Sequence, residues 1–373
     1  MRFVIDARYA GPKVSGMGNY VRALTSRLPA LLPESRFDYW ISPGAATLTE
    51  APNVTHRRVR PAAAGLATLL WPKRLGRLQA DDVFHGPANI LGFGVPGPSI
   101  VTVHDVMWLE HLAWCQPHPW LRPISHTYYS TGIRRALRLA ARILTVSQAS
   151  ADAIARVEPS AASKTVVTRN ACEAEFRAPE SRDAARQAAT RAIGSSAPFF
   201  LVVGQNQPSK AHDVALRGFA AAGLPEHRLV LVQRLDAGRG LDRLAHELGV
   251  TDRVSFVSGV PFPTLLALMQ SATALLQPSL AEGFGMPVLE AISCGCPVIA
   301  SSIPPLVEVL GDAALFAEPA SVRDLAAEIQ RAAKEPALLE ELRERGLTRA
   351  RAFSWDRTAE ITRDVYREVA ARG

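Results

Sequence analysis

EGFGMPVLEAISCGCPVIAS, residues 282–301, reads as a strand end, a glycine loop, a helix start and the next strand. The apolar pair Leu275–Leu276 comes before it, and Pro297, Val298 and Ile299 close it. Glu282 falls in the loop and Glu290 one turn into the helix, with Pro287 suited to the first helical position, where its missing N–H costs nothing. A loop of this kind points bare amides at an anion, because the first turn of a helix has unpaired donors and the positive end of the dipole. Gly283 and Gly285 let the backbone come close; a larger residue would push it away from a ligand. Ionised carboxylates accept several hydrogen bonds each and match vicinal hydroxyls. Amides for a phosphate beside carboxylates for hydroxyls suit a nucleotide sugar.

Outward from this stretch, strands and helices alternate. The second half reads as strand 199–203, helix 214–222, strand 229–232, helix 240–248, strand 254–257, helix 264–270 and strand 274–276, then the helix after Pro287 and strand 298–299. The first half opens with Phe3-Val4-Ile5, a turn-rich stretch from Gly11 to Gly18 and apolar residues at helical spacing (Tyr20, Val21, Leu24, Leu28). Further strands are expected at 37–41, 83–84, 99–103, 143–146 and 166–168, with a basic helix over 134–142. Such alternation means parallel sheets covered on both faces. The expected class is α/β, as two doubly wound Rossmann-like domains facing a central cleft. Residues 1–178 form the first, 179–354 the second, and 173–197 the linker and a helical lead-in. Helices over 322–333, 336–350 and 355–371 close the chain.

The bulk numbers agree with a two-domain globular protein: 373 residues, 48% hydrophobic and 21% charged. Met1-Arg-Phe-Val-Ile-Asp runs straight into a strand, so no leader is expected, and no apolar run reaches the roughly 18 residues of a spanning helix. The cysteines (Cys115, Cys172, Cys294, Cys296) lack paired metal spacing and read as reduced thiols in a cytoplasmic protein. Residues 1–178 carry 21 Lys and Arg against 12 Asp and Glu, a net of +9, whereas residues 179–373 carry 21 against 23, a net of −2. With no nucleic-acid motif in sight, the basic half is expected to meet an anionic membrane face or a lipid-linked diphosphate. Leu69–Leu78 and Trp108–Tyr129, which combine apolar and aromatic residues with cations, are the stretches expected to touch it.

These residues resemble the retaining glycosyltransferases of family 4, which have the GT-B fold, over nearly the whole chain and most strongly from Asp252 to Pro319. The resemblance implies a role for each matched position. Glu282 would lie near the donor sugar and Glu290 on the nucleotide ribose, with Gly283 and the amides of Phe284, Gly285 and Met286 on the sugar or diphosphate. Lys210 matches half of an Arg-Lys pair that neutralises the leaving diphosphate; Ser209 stands where arginine is usual, and Arg234 is a candidate to make up the charge. A charged contact to phosphate is worth on the order of 1.5–3 kcal/mol. Gly16 and Gly18 match a G-x-G loop near the diphosphate and acceptor. His104 matches a substrate-positioning histidine, with Asp105 in support. Phe256 and Val257 end the strand that seats the nucleobase, and Ser147 and Arg169-Asn170-Ala171 match structural turns. The last helix, about 355–373, would cross back onto the first domain.

The implied reaction is transfer of a hexose, with mannose from GDP-mannose first, to a glycan or polyprenyl-diphosphate-linked acceptor in bacterial polysaccharide or glycolipid synthesis. The anomeric configuration would be retained through front-face substitution, with no cofactor and no metal; the chain has no D-x-D run. His104, Lys210 and Glu282 would carry the chemistry. A UDP-sugar (glucose or N-acetylglucosamine) donor is the alternative, and a weakly catalytic nucleotide-sugar-binding protein is the other, kept open by Ser209. The enzyme would be cytoplasmic and peripheral on the inner membrane face.

Overall fold

Short runs of buried apolar residues make the strands, and the chain sorts them into two sheets. The computed structural model describes residues 1–11, 15–116, 118–233 and 240–372. The chain divides into Met1–Ala171 with Ser354–Gly373, and Cys172–Phe353, so the first break falls earlier than the expected 178/179.

In the N-terminal unit the strands are β1 (Arg2–Ile5), β2 (Arg36–Ile41), β3 (Val54–Arg58), β4 (Val83–Gly86), β5 (Ser99–Thr102), β6 (Arg142–Thr145) and β7 (Thr165–Val167). They pair in the order β3-β2-β1-β4-β5-β6-β7, all parallel. Trp40, Phe84, Val101, Ile133 and Ile143 form part of one buried cluster beside the sheet. The helix Trp355–Arg372 belongs to this unit. Its Tyr366 hydroxyl lies 2.6 Å from His85 Nδ1, and its ring packs 4.6 Å from that of Phe3. Thr358 donates to the Arg169 carbonyl.

The second unit contains β8 (Phe199–Val203), β9 (Arg228–Gln233), β10 (Val254–Ser258), β11 (Ala274–Gln277), β12 (Val298–Ser301) and β13 (Leu315–Ala317). They pair in the order β10-β9-β8-β11-β12-β13, again all parallel. Phe200, Leu216, Phe219, Leu231, Leu276 and Ile299 share its core. β11 and β12 are buried along their whole length, as strands covered on both faces must be. From β8 the chain winds outward to β9 and β10; from β11 it winds the other way. The C-terminal edge between β8 and β11 is therefore the topological switch point, where ligands of doubly wound sheets bind.

Several expectations need correction. β3 and β13 lie where no strand was foreseen. The basic helix starts earlier and runs Arg122–Leu139, whereas the expected helical lead-in is present as the helix Arg182–Ile193. The stretches expected to touch a membrane are mixed: Leu69 and Leu78 are buried, Leu70 and Trp71 are exposed, and Trp108 stacks on Tyr129 at 3.8 Å. Among the described residues no helix is long and apolar enough to cross a membrane.

Candidate active site

The two loops that leave the switch point of the second sheet are tied to each other. After β8 the backbone passes Gly204 at φ +149° and makes a short turn, Pro208–Lys210, that ends at Ala211 with φ +48°. Ser209 is buried, and its carbonyl accepts the Leu280 amide at 2.8 Å. That bond holds the Lys210 turn against the loop after β11. Lys210 Nζ then reaches both oxygens of Glu282, each at 2.7 Å. Oε1 of Glu282 also accepts from Gln277 Nε2 and from Ser279 Oγ, both at 2.9 Å. Gln277 and Ser279 are themselves buried and bonded to each other at 2.8 Å.

Hydrogen bonds to a charged group contribute about 1.5–3 kcal/mol each, so this carboxylate is held hard. A carboxylate has roughly four acceptor positions in all. Three donors converge on Oε1 and one on Oε2, which leaves Oε2 the oxygen with room for a hydroxyl. Behind Lys210, His212 is buried, and its Nδ1 accepts from Gln233 Nε2 at 3.1 Å, which puts the ring proton on Nε2. Burial, helped by the Lys210 charge, pushes the His212 pKa down to about 4. The ring is neutral at pH 7 and adds no competing cation beside Lys210.

The glycine loop continues from Glu282. Gly285 caps the helix Met286–Ser293 at φ +100°, and the amides of Phe284, Gly285 and Met286 make no hydrogen bond within the described residues. Pro287 is the second helical residue rather than the first. Gly285 has a packing reason of its own: a Cβ there would stand 2.5 Å from Leu306 Cδ2, in a conformation that L residues rarely adopt. The Phe284 side chain turns inward and meets the ring of Phe353 edge-on at 5.7 Å, so only its backbone faces the loop. Gly283 precedes it, half-buried; Glu290 is half-buried on the helix. Phe256 and Val257 lie on β10, the edge strand and two strands from β8, and Phe256 packs partly against the core. Cys294 and Cys296 are buried thiols, and burial raises that of Cys296 to about 12.

The remaining sites lie in the N-terminal unit. Gly16 and Gly18 are not a loop: they form the first turn of the helix Gly16–Leu31, capped by Ser15 Oγ on the Gly18 amide at 3.0 Å. A Cβ at Gly18 would come within 2.9 Å of the Tyr9 carbonyl, so glycine is required for close packing. Tyr20 on this helix meets the His104 ring edge-on at 5.1 Å, which joins the helix start to the end of β5. His104 Nε2 donates to the Pro87 carbonyl at 2.9 Å, and burial lowers its pKa to about 4. The neutral ring keeps Nδ1 as an acceptor. Asp105 Oδ1 accepts the Met107 amide at 3.0 Å and starts the next short helix. Ser147 caps the helix Gln148–Val157. Arg234 lies outside the described residues.

A profile of the family described as "Glycosyl transferases group 1" matches residues 183–349, which include the whole switch-point site. The chain is 30% identical over 294 residues to a D-inositol 3-phosphate glycosyltransferase of Actinosynnema mirum, covering 73% of this chain and 68% of that one. The chain belongs to the group 1 glycosyl transferases. This glycosyltransferase is also 27% identical over 378 residues to the O-antigen chain mannosyltransferase B of Escherichia coli, across 95% of its own length and 96% of the relative's. Among solved structures it resembles WaaG, a glycosyltransferase involved in lipopolysaccharide biosynthesis, with a TM-score of 0.75 at 18% identity, covering 98% and 99% of the two chains. The fold is GT-B, with two parallel-sheet Rossmann-like domains.

Sequence reasoning about this glycosyltransferase placed Lys210 and Glu282 in one site but missed what orients them. Gln277 ends the buried strand β11, one residue past the expected end at 276, and neither it nor Ser279 was given a role. The available signal was the spacing of Gln277, Ser279 and Glu282, which brings three polar side chains together where a strand opens into a loop. His212 lay outside the expected helix 214–222 and was given no role; it is the first residue of the helix His212–Ala222.

Proposed function

We propose that this glycosyltransferase moves a hexose, mannose from GDP-mannose first, onto a hydroxyl of a glycan or polyprenyl-diphosphate-linked acceptor, with retention and without a metal. The observation that carries the reading is the Lys210–Glu282 pair at the switch point, next to three amides that have no partner among the described residues. Lys210 and those amides supply positive potential where a departing diphosphate gathers negative charge. Glu282, fixed by Gln277 and Ser279, positions Lys210 and offers Oε2 to a sugar hydroxyl. Glu290 on the following helix would take the ribose. In the other unit His104 would accept a hydroxyl proton at Nδ1 as a hydrogen-bond acceptor, since its low pKa keeps it uncharged. Retention follows if the leaving phosphate takes the acceptor's proton on the same face. Mannose is favoured by the E. coli relative, which matches along nearly all of both chains.

The test is a thermal-shift panel of GDP, UDP, ADP and their sugars, followed by acceptor-dependent release of nucleotide. A ligand raises the melting temperature in step with its occupancy. GDP and GDP-mannose should give the largest shifts; a larger shift with a UDP-sugar would replace the donor, and no response to any nucleotide would refute the site. Ser209 favours one other reading, a nucleotide-sugar-binding protein with weak turnover, because a buried neutral hydroxyl stands where a second cation is usual. Donor binding without transfer to any acceptor would support it.

A further inference from the structure

We infer that the second unit carries a binding site for a small phosphorylated sugar at the N-terminal ends of β8 and β11, at the edge of the sheet opposite Lys210 and Glu282. The inference goes beyond the transfer reaction and does not depend on the identity of the donor.

A cavity of about 240 Å³ opens there. The residues that lead into the two strands floor it: Ala197 and Pro198 before β8, Ala272 and Thr273 before β11. Three helices wall it, namely Arg182–Ile193, the last turn of Phe262–Ser271, and Pro336–Ala350. The first of them ends at Gly194, and Ser195 and Ser196 turn the chain back into β8, with Ser195 Oγ accepting the Ala197 amide at 3.3 Å. β8 and β11 are also the strands whose other ends carry the Lys210 turn and the Glu282 loop. β8 has five residues at about 3.3 Å each, so its ends lie roughly 13 Å apart. A ligand in the cavity therefore leaves the Lys210–Glu282 site open, and the two can be filled together.

The charge of the lining is one-sided. Arg182 and Arg186 stand one turn apart on the first helix, and Thr190 continues the same stripe. Arg343 joins them from the third helix. Glu340 accepts from Arg182 at 2.8 and 3.1 Å and from Arg343 at 2.9 Å, and Arg343 Nε donates to the Gly295 carbonyl at 2.7 Å. Two guanidinium groups are thus held in place before any ligand arrives, which lowers the cost of binding one. Arg186 is exposed, and among the described residues no carboxylate pairs with it. No acidic side chain among the described residues lines the cavity, so three arginines stand against the one Glu340, a local excess of two positive charges. A phosphate monoester carries about −1.5 to −2 at pH 7 and three acceptor oxygens, which match that excess and the guanidinium forks.

Hydroxyl groups supply much of the remaining lining: Thr190, Ser195, Ser196, Ser271 and Thr273. Ser271 Oγ is shut away from solvent and has no hydrogen-bond partner among the described residues. Buried polar atoms are nearly always paired, and a ligand oxygen seated on the floor would complete this one. Side-chain hydroxyls both donate and accept, as the hydroxyls of a sugar ring do. The volume lies just below the roughly 300–1,000 Å³ of pockets that take drug-sized molecules, which suits one hexose with its phosphate and is small for a nucleotide sugar.

The test is titration calorimetry of the full chain with inorganic phosphate, free mannose and glucose, and the 1- and 6-phosphates of both sugars. At least one hexose phosphate should bind, about tenfold or more tighter than phosphate alone or than the free sugar. Arg186→Glu should weaken that binding at least about tenfold, and Ser271→Ala about threefold. Lys210→Met should leave it unchanged, and so should an excess of nucleotide. Arg186 lies on the surface, so Arg186→Glu should keep the melting temperature and the nucleotide response of the parent. Loss of every nucleotide response in the parent would sink the donor reading and leave this one standing. Binding that disappears in Lys210→Met and survives in Arg186→Glu would place the sugar phosphate at the donor loops and overturn the proposal. So would no binding of any hexose phosphate, or phosphate or free sugar binding as tightly as the sugar phosphate does.

Discussion

Lys210 and Glu282 should behave as one unit, and a double-mutant cycle measures whether they do. The variants are Lys210→Met, Glu282→Gln and both together. Removing Lys210 leaves Glu282, whose side chain is 7% exposed, with two neutral donors on Oε1 and, among the described residues, no bond to Oε2. An uncompensated buried carboxylate costs about 3–5 kcal/mol, and the neighbouring donors place this one near the low end, about 3 kcal/mol. Glu282→Gln keeps the shape and frees an ammonium that is 23% exposed and can hydrate, so its cost should be about 1–2 kcal/mol. The pair interaction vanishes in both singles, so the double variant should cost about 1–2 kcal/mol less than their sum. Urea denaturation at pH 7 supplies all these values. Thermal shift on the same samples asks whether nucleotide binding follows Lys210. Additivity within about 0.5 kcal/mol would refute the claim that the carboxylate holds the lysine. A nucleotide response that survives Lys210→Met undiminished would refute the lysine's role at the diphosphate.

Other outcomes follow from the same geometry. Gly285→Ala should cost roughly 2–5 kcal/mol, since an αL backbone costs about 1–2 kcal/mol and overpacking against Leu306 another 1–3 kcal/mol; Gly44→Ala, also at positive φ but with open space around it, should cost only the first part in the same denaturation assay. Arg8→Met leaves Asp6, which is 4% exposed, without its bidentate partner and should cost about 3–5 kcal/mol, read from the shift in denaturation midpoint. His85, His104 and His212 are held neutral by burial, with pKa values near 3, 4 and 4. Their folded pKa values lie below the unfolded value, so their contribution is complete above about pH 6.5 and is lost as pH falls towards 4. Stability should drop by roughly 4 kcal/mol per pH unit near pH 5, and denaturation curves between pH 7 and 5 would show it.

The parallel α/β pattern was legible because covered strands are written as unbroken apolar runs. Leu229–Val232 and Ala274–Leu276 could hardly be anything else. β3 was not, because it is an edge strand whose Thr55, Arg57 and Arg58 face water or Asp38, and only Val54 signals a strand. β13 is too short for any pattern to develop. At the site, the residues with unusual chemistry stood out: the paired glutamates, the lysine and the glycines. What escaped was support supplied by common residues in a particular place. Gln277 and Ser279 matter because β11 ends one residue before the loop turns, and only the folded backbone brings them onto one oxygen. The glycines were found, but not the packing that also requires them. Spacing shows that a backbone must come close to something; it does not show that at Gly285 the something is Leu306.

The division of the chain bears on how it is made. The N-terminal unit leaves at Ala171 and is completed only by the helix that begins near Ser354, whose Tyr366 binds His85 and whose Thr358 binds the Arg169 carbonyl. A ribosome adds about 5–20 residues per second, so the first sheet waits roughly 10–40 s while the whole second unit is synthesised. During that wait Phe3, His85 and the inner face of the helix Gly16–Leu31 lack their cover, whereas the second unit, being continuous, can fold as it emerges. The unit translated first is therefore the one that finishes last, and it is the unit a chaperone would meet.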